Sequence, residues 1–413
     1  MPRSGVVIAL ALFLAALPAQ AAIFVAGNTS DFGDWAPGDG SCDTSPIAGV
    51  TICTLRAAIQ EANALAGDDV IGLLPGTYSL TLNGDDDTSA AGDLDVRTTI
   101  RIEGAGVGQT IIQQDAAGGV FQLPFPGGGN LTLVGMTLRG GDAGDAFGGG
   151  VFVHGASQLG LERVEITDCA ARIGGGLFNY GQVQMLETWI HGNHADWRAG
   201  GLASASLSSG GGPGTTIAID DSTIGPNASD AGPTEMELAN GGQAILTNTT
   251  VSPSDPLGFS IEIANEDVVF SHVTVRGEIA AFSFSGADTL QFSNSAIEYC
   301  NTLPSPQPIT TRLGVNASAN AGCGFAAAGG IEAPFALRAL AHYGGPTPTH
   351  LPLDASPWID AIGACDVAAD QRGVARPIGA GCDVGAVEVP EPGALGAGLA
   401  MLAGLAAARR AAR

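Results

Sequence analysis

Between residues 100 and 300 the chain repeats a short phrase: a β-branched or apolar residue, two or three polar or small residues, then a turn. Its apolar anchors are Leu138, Ile166, Ile190, Ile224, Val251, Val275 and Ile297, at intervals of 28, 24, 34, 27, 24 and 22 residues. A second phrase keeps the same beat, in Gly148-Gly149-Gly150-Val151-Phe152, Gly174-Gly175-Gly176-Leu177-Phe178-Asn179 and Gly200-Gly201-Leu202. These are short period-2 strands broken by Gly turns, with no helical periodicity between them. A rung of that length holds about three strands and three turns, the size of one coil of a parallel β-helix. The pattern therefore predicts an all-β solenoid over 70–330 in which the seven anchors stack as one inward column. Cys169, Asn193, Asn227, Ser254 and Cys300 fall three residues after an anchor, where small or amide side chains turn the chain and an Asn stack bonds neighbouring coils.

One stretch breaks the strand pattern. Leu55, Ala58, Ile59 and Ala62 fall at helical spacing, with Thr54 placed to cap the first turn. A short helix over 54–65 is expected to cover the open end of the solenoid, which would otherwise expose apolar side chains and strand edges.

Both termini read as addresses. Residues 1–21 have Arg3, an apolar run from Val6 to Leu17 and the small-x-small stretch Ala19-Gln20-Ala21, the order of a secretory signal peptide. At the other end Pro390-Glu391-Pro392 precedes an apolar stretch, Gly393 to Ala408, and then Arg409-Arg410. This order resembles the PEP-CTERM sorting tail of Gram-negative bacteria. The resemblance covers 390–413 and implies transient insertion of a membrane helix, an exosortase-type sorting protease as partner, and a final place at the cell surface or in the exopolysaccharide matrix. An ordinary C-terminal anchor is the alternative.

Composition narrows the picture. The formal charge is −25, every basic residue is Arg, and residues 22–392 hold 12 Arg against 41 acids, a net charge near −29. Such a charge repels phosphate backbones and excludes nucleic-acid binding as the main function. The chain has 62 Gly without a G-X-Y period, which excludes collagen. Cys42/Cys53, Cys300/Cys323 and Cys365/Cys382 close short loops, as suits an oxidising compartment, although spacing leaves the connectivity open. Cys169 is left over and reads as a small turn residue.

Cys53-Thr54-Leu55-Arg56-Ala57-Ala58-Ile59-Gln60-Glu61-Ala62-Asn63 resembles the CSLREA motif, departing at Thr54 and Ala57. The likeness continues through Pro75-Gly76-Thr77-Tyr78, Gly92-Asp93-Leu94-Asp95 and Ile102-Glu103-Gly104-Ala105-Gly106. It implies the start of a right-handed parallel β-helix, a pectin-lyase-like solenoid, on an exported protein, with 22–69 as its N-terminal cap. The Gly-Gly-Gly-Leu-Phe-Asn phrase resembles repeats of bacterial surface β-helices such as polymorphic outer-membrane proteins. Tyr343-Gly344-Gly345-Pro346-Thr347, Ser356-Pro357-Trp358-Ile359-Asp360, Asp370-Gln371-Arg372-Gly373 and Asp383-Val384-Gly385 resemble a choice-of-anchor closing domain, which would occupy 331–389. In that segment Arg372 is placed to pair with Asp370 or Asp383.

Three groups carry candidate chemistry. His191, His194, Trp197, Asp196 and Arg198 form a sugar-binding or metal-binding patch, since two His three apart can share a cation and an aromatic beside Asp and Arg suits a sugar. Asp85, Asp86, Asp87, Asp93 and Asp95 place five carboxylates within eleven residues, a composition suited to weak calcium binding or to a solvated loop. Were the chain an enzyme, Asp196, Asp221 and Arg198 would be its catalytic candidates. The polygalacturonase set cannot be written without Lys, and the pectate-lyase Arg-x-Pro-x-x-Arg arrangement is missing. The sequence thus favours a non-enzymatic surface or matrix protein that adheres or scaffolds, needs no cofactor beyond calcium, and has an extracellular polysaccharide as partner. A polysaccharide lyase or glycoside hydrolase on the same fold is the alternative.

Overall fold

The computed structural model describes residues 21–47, 51–126, 128–205, 215–255, 257–282, 288–302 and 309–390. Residues 1–20 of the signal-like segment 1–21, and the tail from Glu391 through the apolar stretch 393–408 to Arg409, Arg410 and the end, lie outside the described residues. Among the described residues no helix is long and apolar enough to cross a membrane.

The chain winds into a right-handed parallel β-helix, an all-β solenoid in which each strand pairs in parallel with its counterpart one coil away. Three ladders run along it. In the central coils the A ladder holds Gln182–Leu186, Thr216–Asp220 and Gln243–Thr247. The B ladder holds Trp189–His191, Thr223–Ile224 and Thr250–Val251, and the C ladder Val151–Val153, Leu177–Asn179 and Leu202–Ala205. Ala170–Ile173, His194–Arg198 and Ala228–Ser229 form a small fourth ladder between B and C.

The seven anchors stack as the spacing predicts. Leu138 sits opposite Ile166, and the column continues through Ile190, Ile224, Val251 and Val275 to Ile297. All are fully buried, so each rung contributes one branched side chain to a continuous apolar core. Beside the column runs the expected amide stack. Cys169 N–H donates to Asn193 Oδ1 at 2.9 Å and Asn193 N–H to Asn227 Oδ1 at 3.0 Å. The run ends on Glu235, whose Oε2 accepts from Asn227 Nδ2 at 2.7 Å. Burial pushes the Glu235 carboxyl up to about 8. Cys169 is the small buried link of this stack, and burial drives its thiol up to about 12.

Between the A and B ladders each central coil turns through a left-handed residue: Arg163, Glu187, Asp221, Asn248, His272 and Asn294 have φ between 46° and 54°. Asn and Asp tolerate this conformation best, because their short side chains bond the local backbone. Asp221 is therefore a corner, and strict strand alternation ends at Asp220.

The N-terminal end is covered by α1 (Leu55–Ala64), one residue shorter at each end than expected. Thr54 caps it by accepting from Ala57 N–H at 3.1 Å, and Leu55, Ala58, Ile59 and Ala62 are buried. The polar residues of this helix hold the neighbouring loops. Arg56 Nε meets Asp31 Oδ1 at 2.5 Å with both side chains sealed from water, and the same guanidinium donates to the carbonyls of Ser89, Gly92 and Asp93. Asn63 Nδ2 reaches Asp95 O at 2.7 Å.

At the far end the short turns Ala321–Cys323 and Ala326–Ala328 cover the last coil. Phe325 continues the ring stack begun by Phe270 and Phe292, with centroids 5.2 Å apart at each step. The chain then runs back along the flank, against a row of outward hydroxyls on the B ladder, Thr223, Thr250 and Thr274, which the parallel register aligns. Gln371 Nε2 donates to Ser222 O and Thr223 Oγ1 and its Oε1 accepts from Thr250 Oγ1 at 2.6 Å, while Ala386 N–H donates to Thr274 Oγ1 at 2.9 Å. Arg372 pairs with Asp370 at 2.7 Å; it is Arg376 that donates to the Asp383 carbonyl. Disulfides join Cys42–Cys53, Cys300–Cys323 and Cys365–Cys382.

Candidate functional site

The outward face of the C ladder carries the most site-like surface. Each C strand is entered through the Gly phrase, and the stack needs glycine there. A Cβ on Gly149 would lie 2.3 Å from Ala170 O, and one on Gly175 only 2.1 Å from His194 O. Coils this close fix the register of the C strands. Gln122, Phe152, Phe178, Ala203, Glu237 and Glu262 then align as one outward column.

Aromatic rings gather at its centre. Phe147 and Phe178 lie 4.7 Å apart by centroid, Phe178 and Tyr180 4.6 Å, and Phe152 and His154 4.3 Å. Phe178 is buried, while Phe147, Phe152, Tyr180 and His154 keep part of their surface open. Next to Phe147 and Phe152 a pocket of about 350 Å³ opens, also lined by Asp85, Asp93, Gln122 and Asp142. Asp93 is 9% exposed, and among the described residues no donor from another residue reaches its carboxylate. Burial, helped by the Asp85 charge, pushes this carboxyl up to about 7.

The acidic loop divides rather than converges. Asp85 and Asp93 line the pocket. Asp86 folds onto its own loop and accepts from the Thr88 hydroxyl and from the amides of Thr88, Ala90 and Ala91, which together hold its carboxyl low despite burial. Asp87 Oδ1 accepts from Gln122 at 3.3 Å. Asp95 is sealed beneath Ser89, whose N–H it accepts at 2.9 Å, and burial followed by the Asp93 charge pushes it up to about 8. These five carboxylates do not converge on one position: Asp85 and Asp93 face the pocket, Asp86 and Asp87 are taken by their own loop and Gln122, and Asp95 is sealed beneath Ser89.

The His191–Arg198 patch is also split, in this case by strand alternation and turns. His191 stacks on Trp189 at 3.5 Å and bonds Glu165 at 3.0 Å, a contact that lowers the Glu165 carboxyl. It ends the B strand, whereas His194 opens the strand of the small fourth ladder. His194 Nε2 instead meets Asp196 at 3.4 Å and Asp230 of the next coil at 3.6 Å. Among the described residues these three are the only His, Cys, Asp or Glu group whose ligand atoms converge. Sequence reading missed Asp230, yet the 34-residue interval from Ile190 to Ile224 also carries Asp196 to Asp230. Trp197 is exposed between Arg172 and Arg198, 5.4 and 5.9 Å from its ring. Arg198 is committed to Glu237 at 3.3 Å and to Glu262.

The three candidates of the enzyme reading are therefore not one site. Asp196 lies on the small ladder with His194, and Arg198 is neutralised by two glutamates of the C column. Asp221 sits at the A–B corner, where burial pushes it up to about 6 and where Thr347 of the flanking segment bonds its carbonyl.

No protein-family model matches the chain, and no curated protein sequence does. Among solved structures it is similar to the mannuronan C-5 epimerase AlgE6 A-module of Azotobacter vinelandii, at 15% identity and TM-score 0.35, covering 69% of this chain and 92% of that one. Pectate lyase Pel9A is similar at 13% identity and TM-score 0.41, covering 90% and 97%. A Geobacillus virus E2 protein, ORF18, is similar at 14% identity and TM-score 0.34, covering 71% and 61%.

Proposed function

We propose that this chain is an exported, non-enzymatic surface or matrix protein that holds extracellular glycan along its C face. The carrying observation is the column of partly open aromatic rings, Phe147, Phe152 and Tyr180, beside a pocket on the outside of a rigid solenoid. Aromatic faces bury the C–H faces of sugars, and an open apolar patch on an otherwise polar surface marks an interaction site. The signal-like N-terminus, the PEP-CTERM-like tail and an exosortase-type partner supply the route to the cell surface of a Gram-negative bacterium. The repeated coils present contacts along a stiff rod, which suits weak multivalent adhesion.

A hydrolase or lyase on the same fold is the competing reading, favoured by one feature: Asp93 stands in the pocket with a carboxyl raised to about 7 beside Asp85. That is the pattern of a general acid near a second carboxylate. One experiment separates the two. Purified protein covering 22–392 is incubated with a panel of neutral, amino and uronate polysaccharides, and both retention and chain cleavage are measured. The proposal expects retention without cleavage, lost in Phe152→Ala. Cleavage abolished by Asp93→Asn would replace it with the enzyme reading, and no retention on any polymer would remove the glycan role.

A further inference from the structure

The pocket beside Phe147 and Phe152 is chemically selective. Asp85 and Asp142 stand exposed on its rim, Asp93 reaches it from the buried side, and no basic side chain among the described residues lines it. Arg56, the cation that acts on Asp93, has its guanidinium sealed against Asp31 and the backbone. A negatively charged sugar would meet three carboxyl groups with nothing to offset its charge. A cationic one finds the reverse. An ammonium group is attracted both by carboxylates and by the faces of aromatic rings, and two phenylalanines form one wall. The volume, about 350 Å³, is within the range of small-ligand sites. Asp93 adds an acceptor that no other residue uses among those described.

We infer that this pocket binds the ammonium group of an amino sugar, so that the polymer held along the C face is a de-N-acetylated amino-sugar chain. The inference rests on the glycan-binding reading above. Phe147 and Phe152 pack the sugar ring. Asp85 and Asp142 supply charge at the rim, and Asp93 supplies a hydrogen-bond acceptor below.

The test is titration calorimetry at pH 6 and low salt with three probes of equal length: a β-1,4-linked glucosamine oligosaccharide, its N-acetylated counterpart and an oligouronate. The glucosamine oligomer should bind about tenfold tighter than the N-acetylated one, from the two exposed charge contacts at Asp85 and Asp142 with the Asp93 acceptor below, and the preference should shrink as salt is raised. The double variant Asp85→Asn/Asp142→Asn changes exposed side chains and should bring the ratio close to one. Phe152→Ala should weaken both oligomers. Equal or tighter binding of the N-acetylated oligomer or the oligouronate would overturn the amino-sugar inference and leave the glycan role standing. A preference that survives in the double variant would place the selectivity elsewhere and overturn the site. Failure of all three probes to bind would overturn both.

Discussion

At one end of the solenoid α1 lays Leu55, Ala58, Ile59 and Ala62 over the first coil, with the Arg56–Asp31 pair sealed beneath. At the other, Phe325 extends a ring stack, and the chain then turns back along the B ladder, where Gln371 bonds into a row of hydroxyls. The first closure has an ionic centre on which several loops depend. The second is apolar at the tip and polar along the flank; its sealed pair, Arg376 with Glu388, lies within the returning segment, whose contacts with the solenoid spread over several coils. The two ends should therefore fail in different ways. Loss of Arg56 unties several loops from the first coil at once, whereas loss of one contact between the C-terminal segment and the coils should loosen the flank piecemeal.

The sharpest break of that comparison is Arg56→Ala. It takes the cation from the sealed Asp31, which keeps only the amides of Thr81 and Leu82, frees the carbonyls of Ser89, Gly92 and Asp93, and should cost about 3–5 kcal/mol in denaturant unfolding. A cost below about 1 kcal/mol would show that the cap is held by the apolar stripe alone. Phe325→Ala should cost about 3 kcal/mol, through the lost ring contacts and the cavity left against Phe292. If it matched Arg56→Ala in also loosening the loop around Ser89, seen by hydrogen exchange, the two ends would not be independent.

Gln371→Ala should be smaller, about 1–3 kcal/mol, since it leaves the Thr250 hydroxyl without its acceptor and removes the donor to Thr223 Oγ1, which keeps its own bond to Pro348 O. Hydrogen exchange should then quicken around 347–386 while the anchor column stays protected. Uniform loosening of the column would mean that the flank supports the coils.

The mildest probe lies between the ends, at Glu235. Its folded pKa is raised to about 8 from 4.5, so its contribution is fully present below the unfolded value and is lost as pH rises through about 8. Thermal stability should therefore fall between about pH 5 and pH 8, and Glu235→Gln should flatten that slope. An unchanged slope in the variant would assign the pH dependence to Asp93, Asp95, Glu266 or Asp383, which burial also raises, to about 7 or 8.

Much of this architecture is legible along the chain. Branched residues at a steady interval must face the same way in every coil, so the spacing of the seven anchors names the core column. The helix stripe and its Thr54 cap are local patterns, readable because helix geometry joins residues three and four apart. The sites were less legible, because their residues come from different coils or from loops folded over one another. Asp196 and Asp230, 34 residues apart, meet at His194, and the aromatic column pairs Phe152 with Phe178 through inter-coil register. Asp85 and Asp93 reach one pocket while Asp95, adjacent in pattern, is sealed away.

The repeat, the inward column and the helix that closes the first coil follow from the chain alone, since each rests on spacing within one or two rungs. Only the tertiary structure decided which polar residues are buried, which carboxylates share a pocket, and that the C-terminal segment runs along the flank. Periodicity specifies which way a side chain faces along the coil. What covers that face depends on where distant loops settle, and on whether a row such as Thr223, Thr250 and Thr274 offers them partners.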